Sequence, residues 1–167
     1  MINDYIYLIL ISDFGLSKQL NFDICQNTDV GTVPYKPPDV LLGNPYYSYS
    51  FDVWSIGCVL VELATGHVLF PEDNNLEALK LMLKIFGNFL VNDLPFAKIF
   101  VEKNKNIFCN TNLEQKFVGL VNHVKNFTLV NFENDDFYDL IEKMLNVNPV
   151  ERIDLQDCLR HPWFRKM

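Results

Sequence analysis

The chain has 167 residues, 49% of them apolar, 14% aromatic and 21% charged, which is the composition of a folded globular domain and not of a disordered or low-complexity chain. Its formal charge is −7 with an isoelectric point near 4.8, so it has no electrostatic attraction for nucleic acid or anionic lipid, and neither is expected as a partner. The length suits one domain with a sizeable core, and neither an internal repeat nor a linker divides it.

The opening run YIYLILI, residues 5–11, reads as a buried strand of Tyr, Ile and Leu that ends at residue 12. It is too short to cross a membrane, and it follows Asp4 rather than a basic stretch, so it does not read as a signal peptide. Beyond Leu16 no period is sustained, and Gly31, Pro34, Pro37 and Pro38 mark a loop. A second loop, NPYYSYS, covers residues 44–50.

FDVWSIGCVLVELATG follows, with Val53, Trp54, Ile56, Val59, Leu60, Val61 and Leu63 placing apolar side chains on nearly every side of a helix. Such a helix belongs in the middle of a domain. Asp52 is its expected N-cap and Gly66 its stop. Leu76–Phe86 is a second helix, with Asp73, Asn74 and Asn75 as capping candidates and Gly87 closing it. Residues 88–133 carry only weak helical signals, at 94–102 and 113–124.

Phe137, Leu140, Ile141, Met144 and Leu145 define one apolar helix face, which has to end before Pro149. A last helix starts near Asp154, carries Leu155, Cys158 and Leu159, and stops before Pro162. Cys25, Cys58, Cys109 and Cys158 lack C-x-x-C spacing and read as reduced thiols in a cytoplasmic or nuclear protein, Cys58 buried in its helix. Asn126-Phe127-Thr128 matches a glycosylation sequon, which reads as chance. His67, His123 and His161 show no ligand spacing; the first two read as exposed, and His161 belongs to a terminal His-Pro pattern.

Four stretches carry a resemblance when taken in order: SDFGLSK (12–18), GTVPYKPPDVLLG (31–43), FDVWSIGCVLVEL (51–63) and NPVERIDLQDCLRHPWF (148–164). Together they resemble the C-terminal lobe of a eukaryotic protein kinase, across essentially the whole chain and most weakly over 88–133. Within that family the stretch from Leu41 to Gly87, with LFPE where relatives have LFPG, looks most like the cyclin-dependent, dual-specificity tyrosine-regulated and CDC-like kinases. The resemblance implies a mainly α fold: a truncated kinase C-terminal lobe with a short N-terminal strand and without the N-terminal lobe or catalytic loop. One partial domain spans 1–167, with an activation segment at 12–39, a central buried helix at 51–65 and C-terminal helices at 135–164.

The function implied is ATP-dependent phosphorylation of protein Ser and Thr, with ATP and magnesium as the cofactors of the full-length family and a protein substrate or partner. Asp13 resembles the magnesium carboxylate, since magnesium takes hard oxygen ligands. Phe14 would anchor the turn in an apolar pocket, and Gly15 would let the backbone swing. Thr28 lies where an activating phosphate is added in the family; the other reading is an exposed loop threonine. Thr32 resembles the threonine that bonds the catalytic aspartate and lysine, which favours Ser/Thr specificity. Asp39 occupies the place of the family's Glu in Ala-Pro-Glu and would pair with Arg152, although it is one methylene shorter. Asp52 resembles the residue that caps the central helix and bonds the catalytic loop. Trp54 and Trp163 read as core.

Other parts of the machinery do not occur. Kinases place a glycine-rich loop, a strand lysine, a helix glutamate and a His-Arg-Asp catalytic loop before Asp-Phe-Gly. Only 12 residues precede Asp13, and His-Arg-Asp occurs nowhere. Asn3 sits too close to be the second metal ligand. No catalytic residue is expected in this chain, which is predicted to be inactive alone. The alternative reading is a non-catalytic, pseudokinase-like interaction module.

Overall fold

The computed structural model describes residues 10–19, 30–87, 94, 102, 118–127 and 135–165. The described residues form helices and turns: α1 (Pro38–Leu41), α2 (Ser50–Thr65), α3 (Asn75–Phe86), α4 (Leu120–Phe127), α5 (Asp135–Met144), α6 (Leu155–Arg160) and α7 (Pro162–Arg165), with single 3-10 turns at Phe14–Leu16 and Val33–Tyr35.

α2 is the axis of the lobe. Trp54, Cys58 and Val61 on one side of it meet Leu79, Met82 and Ile85 of α3, Val124 of α4, and Phe137 and Ile141 of α5 in one core. Val53 turns the other way, to Leu140, Met144 and Cys158. Full burial of each large apolar side chain is worth roughly 1.5–3 kcal/mol, so contact on these two sides is what holds α2 in place.

Gly57 sets how closely α2 and α5 approach. A Cβ there would stand 2.9 Å from Leu145 Cδ2 and 3.2 Å from Met144 Cβ, closer than carbon atoms can pack. Gly66 ends α2 in the left-handed conformation (φ 73°), its N–H donating to Glu62 O, as a residue without Cβ does most easily.

α3 begins where Asn74 Oδ1 accepts from Glu77 N at 3.0 Å, and it ends at Gly87. α5 buries Phe137, Leu140, Ile141 and Met144, the face read from the sequence. The chain then turns on Asn146 and Asn148, whose Oδ1 atoms accept from the N–H two residues on. Asp154 caps α6 by accepting from Asp157 N at 2.8 Å.

Two expectations change. The strand at 5–12 falls mostly outside the described residues, and its last three residues are exposed with no regular structure; a strand needs a neighbouring strand to bond to. The weak helix at 113–124 is α4, which starts only at Leu120 because Gly119 has φ 79° and runs on to Phe127. The helix expected from near Asp154 to before Pro162 is α6, which stops at Arg160, and Pro162 opens a further short helix, α7, Pro being accepted at a first turn but not inside a helix. Of α6's apolar residues only Cys158 is buried, while Leu155 and Leu159 are exposed.

Candidate functional site

Asp13 has φ 59° and ψ 67°, the left-handed region, and no other described residue except glycine has positive φ. Asp is among the few side chains that tolerate this region, because its short polar group bonds locally. The Phe14–Leu16 turn follows, with Ser17 N and Oγ both donating to Phe14 O at 3.0 and 2.7 Å. Gly15 lies in the turn, where an added Cβ would meet Asp13 Oδ1 at 3.4 Å, an ordinary contact. Phe14 does not enter an apolar pocket: it is 65% exposed, and no described element covers it. Lys18 Nζ lies 4.9 Å from the Tyr47 ring centroid, joining this segment to the 44–50 loop.

Thr28 lies outside the described residues. Thr32 is exposed, at the start of the Val33–Tyr35 turn, and its hydroxyl caps nothing. The turn itself is fixed to α2 twice. Ser55 Oγ donates to Tyr35 O at 2.9 Å, and Tyr35 OH donates to Glu62 Oε2 at 2.7 Å. That bond to the carboxylate holds the Tyr35 hydroxyl above its usual pKa.

Asp39 and Arg152 are both buried and meet through Oδ1 and Nη2 at 3.3 Å. Arg152 also donates from Nε to Asn146 O at 2.9 Å and from Nη1 to Ser50 O at 2.8 Å. Its guanidinium carbon lies 5.1 Å from the Trp54 ring centroid. One side chain thereby ties the end of the 30–44 segment, the start of α2 and the loop after α5. Burial pushes the Asp39 carboxyl up, against the pull of Arg152. Trp54 is fully buried, stacked on Phe70 at 5.8 Å.

Asp52 is not the cap of α2. The cap position is Tyr49, with Ser50 N donating to Ser48 Oγ. Asp52 lies in the first helical turn, exposed, where its charge complements the positive end of the helix. The helix starts three residues earlier than an Asp52 cap would need, and Ser48 Oγ already supplies an acceptor for Ser50 N. One, two and three turns below Asp52 lie Ile56, Val59 and Leu63, which are 42, 43 and 73% exposed. The spacing of four, three and four residues puts Asp52, Ile56, Val59 and Leu63 on one stripe.

The residues present offer little to magnesium or a nucleotide. Among the described residues no three of His, Cys, Asp and Glu converge. Asp13 is a lone exposed carboxylate, whereas magnesium with a nucleotide needs near-octahedral oxygen ligation and groups for the phosphates. By themselves these residues do not fit the pair.

Other contacts were not foreseen. Tyr35–Glu62 joins residues 27 apart, and no local pattern marks such a pair. His161 is buried, with Nε2 2.9 Å from Asp139 Oδ2, and Lys143 Nζ reaches the same oxygen at 2.6 Å; only the fixed Asp139–Lys143 spacing is readable beforehand. His123 was expected at the surface but is half-buried, its ring 4.8 Å from Phe127 and its Nε2 shielded from solvent. Burial and Lys84 hold its pKa below the usual value.

A helical lobe built around a central helix, with an Asp-Phe-Gly turn and a segment clamped by a buried Asp–Arg pair, defines a kinase-type C-terminal lobe. The family model described as "Protein kinase domain" matches residues 1–164, and the chain belongs to the protein kinase domain family. Among solved structures it is similar to a chain of the yeast RNA Pol II CTD kinase CTDK-1 complex, with 25% identity and a TM-score of 0.76 over 94% of this chain. The matched region is 50% of that chain, so the present sequence spans about half the length of its solved relative. No helix among the described residues is long and apolar enough to cross a membrane.

Proposed function

We propose that this chain is the C-terminal lobe of a serine/threonine protein kinase of the cyclin-dependent-like group, that it phosphorylates protein hydroxyls from ATP only when the nucleotide-binding half and catalytic loop are supplied, and that alone it is inactive. The observation that carries this reading is the contrast between two surfaces. The segment at 31–44 is clamped to α2 through Tyr35, Ser55, Glu62 and Arg152, while the Ile56–Val59–Leu63 stripe and Phe14 stand uncovered. The activation segment, 12–39, then has a built foundation. The uncovered faces are those on which a catalytic loop and its supporting helix would rest. Asp13 is the carboxylate this chain would contribute toward magnesium, and Thr28 and Thr32 are the activation-segment threonines.

Two experiments test it. The intact mass of the native protein, with its transcript sequenced to the 5′ end, is expected to be about twice 19.5 kDa and to carry His-Arg-Asp and a glycine-rich loop upstream. A native product of 19.5 kDa would rule the reading out in favour of a non-catalytic interaction module, for which the same apolar stripe is the natural contact face. For the 167-residue chain, Mg-ATP is expected to give no thermal shift. Occupancy at 100 times a dissociation constant would add about 2.7 kcal/mol and be easily seen.

A further inference from the structure

Beside the Asp39–Arg152 pair lies a cavity of about 330 Å³ whose wall includes Asp39, Asn44, Tyr46, Tyr47 and Asn148. Among the described residues, Asp39 is the single charged residue of the wall, and the other described lining residues are neutral. Arg152 is not part of it.

Arg152 meets the carboxylate at one point, and Asn44 is its other hydrogen-bonding side chain. Arg152 spends Nε and Nη1 on two backbone carbonyls and reaches Asp39 with Nη2 alone, at 3.3 Å. Charge-assisted bonds of this kind run about 2.7–2.9 Å and are often two-pointed. A side chain one methylene shorter than Glu cannot come closer without moving α1, and the space it leaves adjoins the cavity. Burial raises the Asp39 carboxyl even with Arg152 beside it, so a second positive group would be welcome there.

The aromatic part of the wall suits the same ligand. Tyr47 already has a cation over its ring, Lys18 Nζ at 4.9 Å, and Tyr46 stands exposed at the rim. Aromatic faces attract cations within about 6 Å. About 330 Å³ is at the small end for ligand sites, enough for a guanidinium or ammonium group on a short stem and too small for a nucleotide.

We propose that this cavity binds an organic cation, a guanidinium or primary ammonium group seated between the Asp39 carboxylate and the Tyr46 ring. The group comes either from an arginine or lysine side chain of a protein or from a free small amine. The site does not depend on phosphoryl transfer, so it stands or falls separately from the kinase reading.

The test is fluorine NMR on the chain labelled with fluorotyrosine and kept soluble by Ile56→Glu, Val59→Gln and Leu63→Lys, none of which lines the cavity, titrated with methylguanidinium and, as a neutral probe of the same shape, methylurea. Saturable shifts confined to Tyr46 and Tyr47 are expected with methylguanidinium and not with methylurea. Asp39→Asn should weaken binding about 10-fold or more. Tyr46→Ala, which leaves the Arg152 pair intact, should weaken it about 2- to 5-fold. If Asp39→Asn does not fold, the neutral probe and Tyr46→Ala still decide. Equal response to both probes, shifts that never saturate, or unchanged affinity in Tyr46→Ala would overturn the proposal. N-acetylarginine amide separates the sources: binding as tight as methylguanidinium assigns a protein side chain, and exclusion of it while methylguanidinium still binds assigns a free amine.

Discussion

Arg152 Nη2 reaches Asp39 Oδ1 at 3.3 Å across 113 residues of sequence, with both side chains buried. Removing one partner leaves the other charge alone in the interior, which costs about 3–5 kcal/mol. Arg152→Met should therefore lower the denaturation midpoint severely, and Asp39→Asn combined with it should recover part of the loss. Additive effects in that double-mutant cycle, followed by urea denaturation, would show that the two side chains are not coupled.

The shorter acid also predicts a gain. Asp39→Glu lengthens the side chain toward Arg152 with a cavity beside it to absorb the change. A closer or two-pointed pair should add about 1 kcal/mol, read as a higher melting temperature. A lower one would mean that α1 is too tightly packed to take the extra methylene.

Gly57→Ala would place a Cβ 2.9 Å from Leu145 Cδ2. Overpacking of this kind costs about 1–3 kcal/mol, while the better helix propensity of Ala returns up to about 1 kcal/mol. The variant should be destabilised on balance in chemical denaturation, and Leu145→Val should relieve it. A stabilised Gly57→Ala would mean that α2 and α5 are not packed as closely as described.

These outcomes divide what was legible in the sequence from what was not. The five-residue face from Phe137 to Leu145 and the run of apolar residues in α2 are local periodicities, so α5 and α2 could be read directly, as could the stops at Gly66 and Gly87. The Asp39–Arg152 pair was reachable only through the ordered motifs, because nothing local links positions so far apart. Asp52 was misplaced as a cap because Ser48, Ser50 and Asp52 are all capping residue types, whereas the helix starts at Ser50 with Tyr49 at the cap position and Ser48 Oγ accepting from Ser50 N. Tyr35–Glu62 and His161–Asp139 depend on how whole elements dock, which local pattern does not encode.

Ile56, Val59 and Leu63 predict poor behaviour of the 167-residue polypeptide in isolation. At about 25 cal/mol per Å², a few hundred Å² of uncovered apolar surface forfeits several kcal/mol. The isolated polypeptide should bind a hydrophobic dye and aggregate, and Ile56→Glu with Val59→Gln and Leu63→Lys should reduce both while far-UV circular dichroism is unchanged. A sharp, cooperative melt of the unaltered monomer without dye binding would contradict this.

Acid should loosen the α5–α7 end. The Lys143 bond, then that from His161, holds Asp139 below the usual carboxylate pKa. A depressed folded pKa gives stability that is present above the unfolded value near 3.8 and lost as pH falls through the folded one. Because Asp139 is half exposed the effect is small. Asp139→Asn should flatten that acid limb of the melting-temperature profile, and an unchanged limb would mean that the contact does not persist in solution.

The three bonds of Arg152 also bear on the order in which the lobe is made. Ser50 and Asp39 lie 102 and 113 residues before it, so during synthesis the Asp39 end of the 31–44 segment stays untied until nearly the whole lobe has been translated, although Tyr35 can meet Ser55 and Glu62 much earlier. Contacts of such separation carry the entropy of closing a long loop before they return any energy. α3 and α5 have their apolar faces available well before that. The last part of this lobe to become rigid is the one near its beginning.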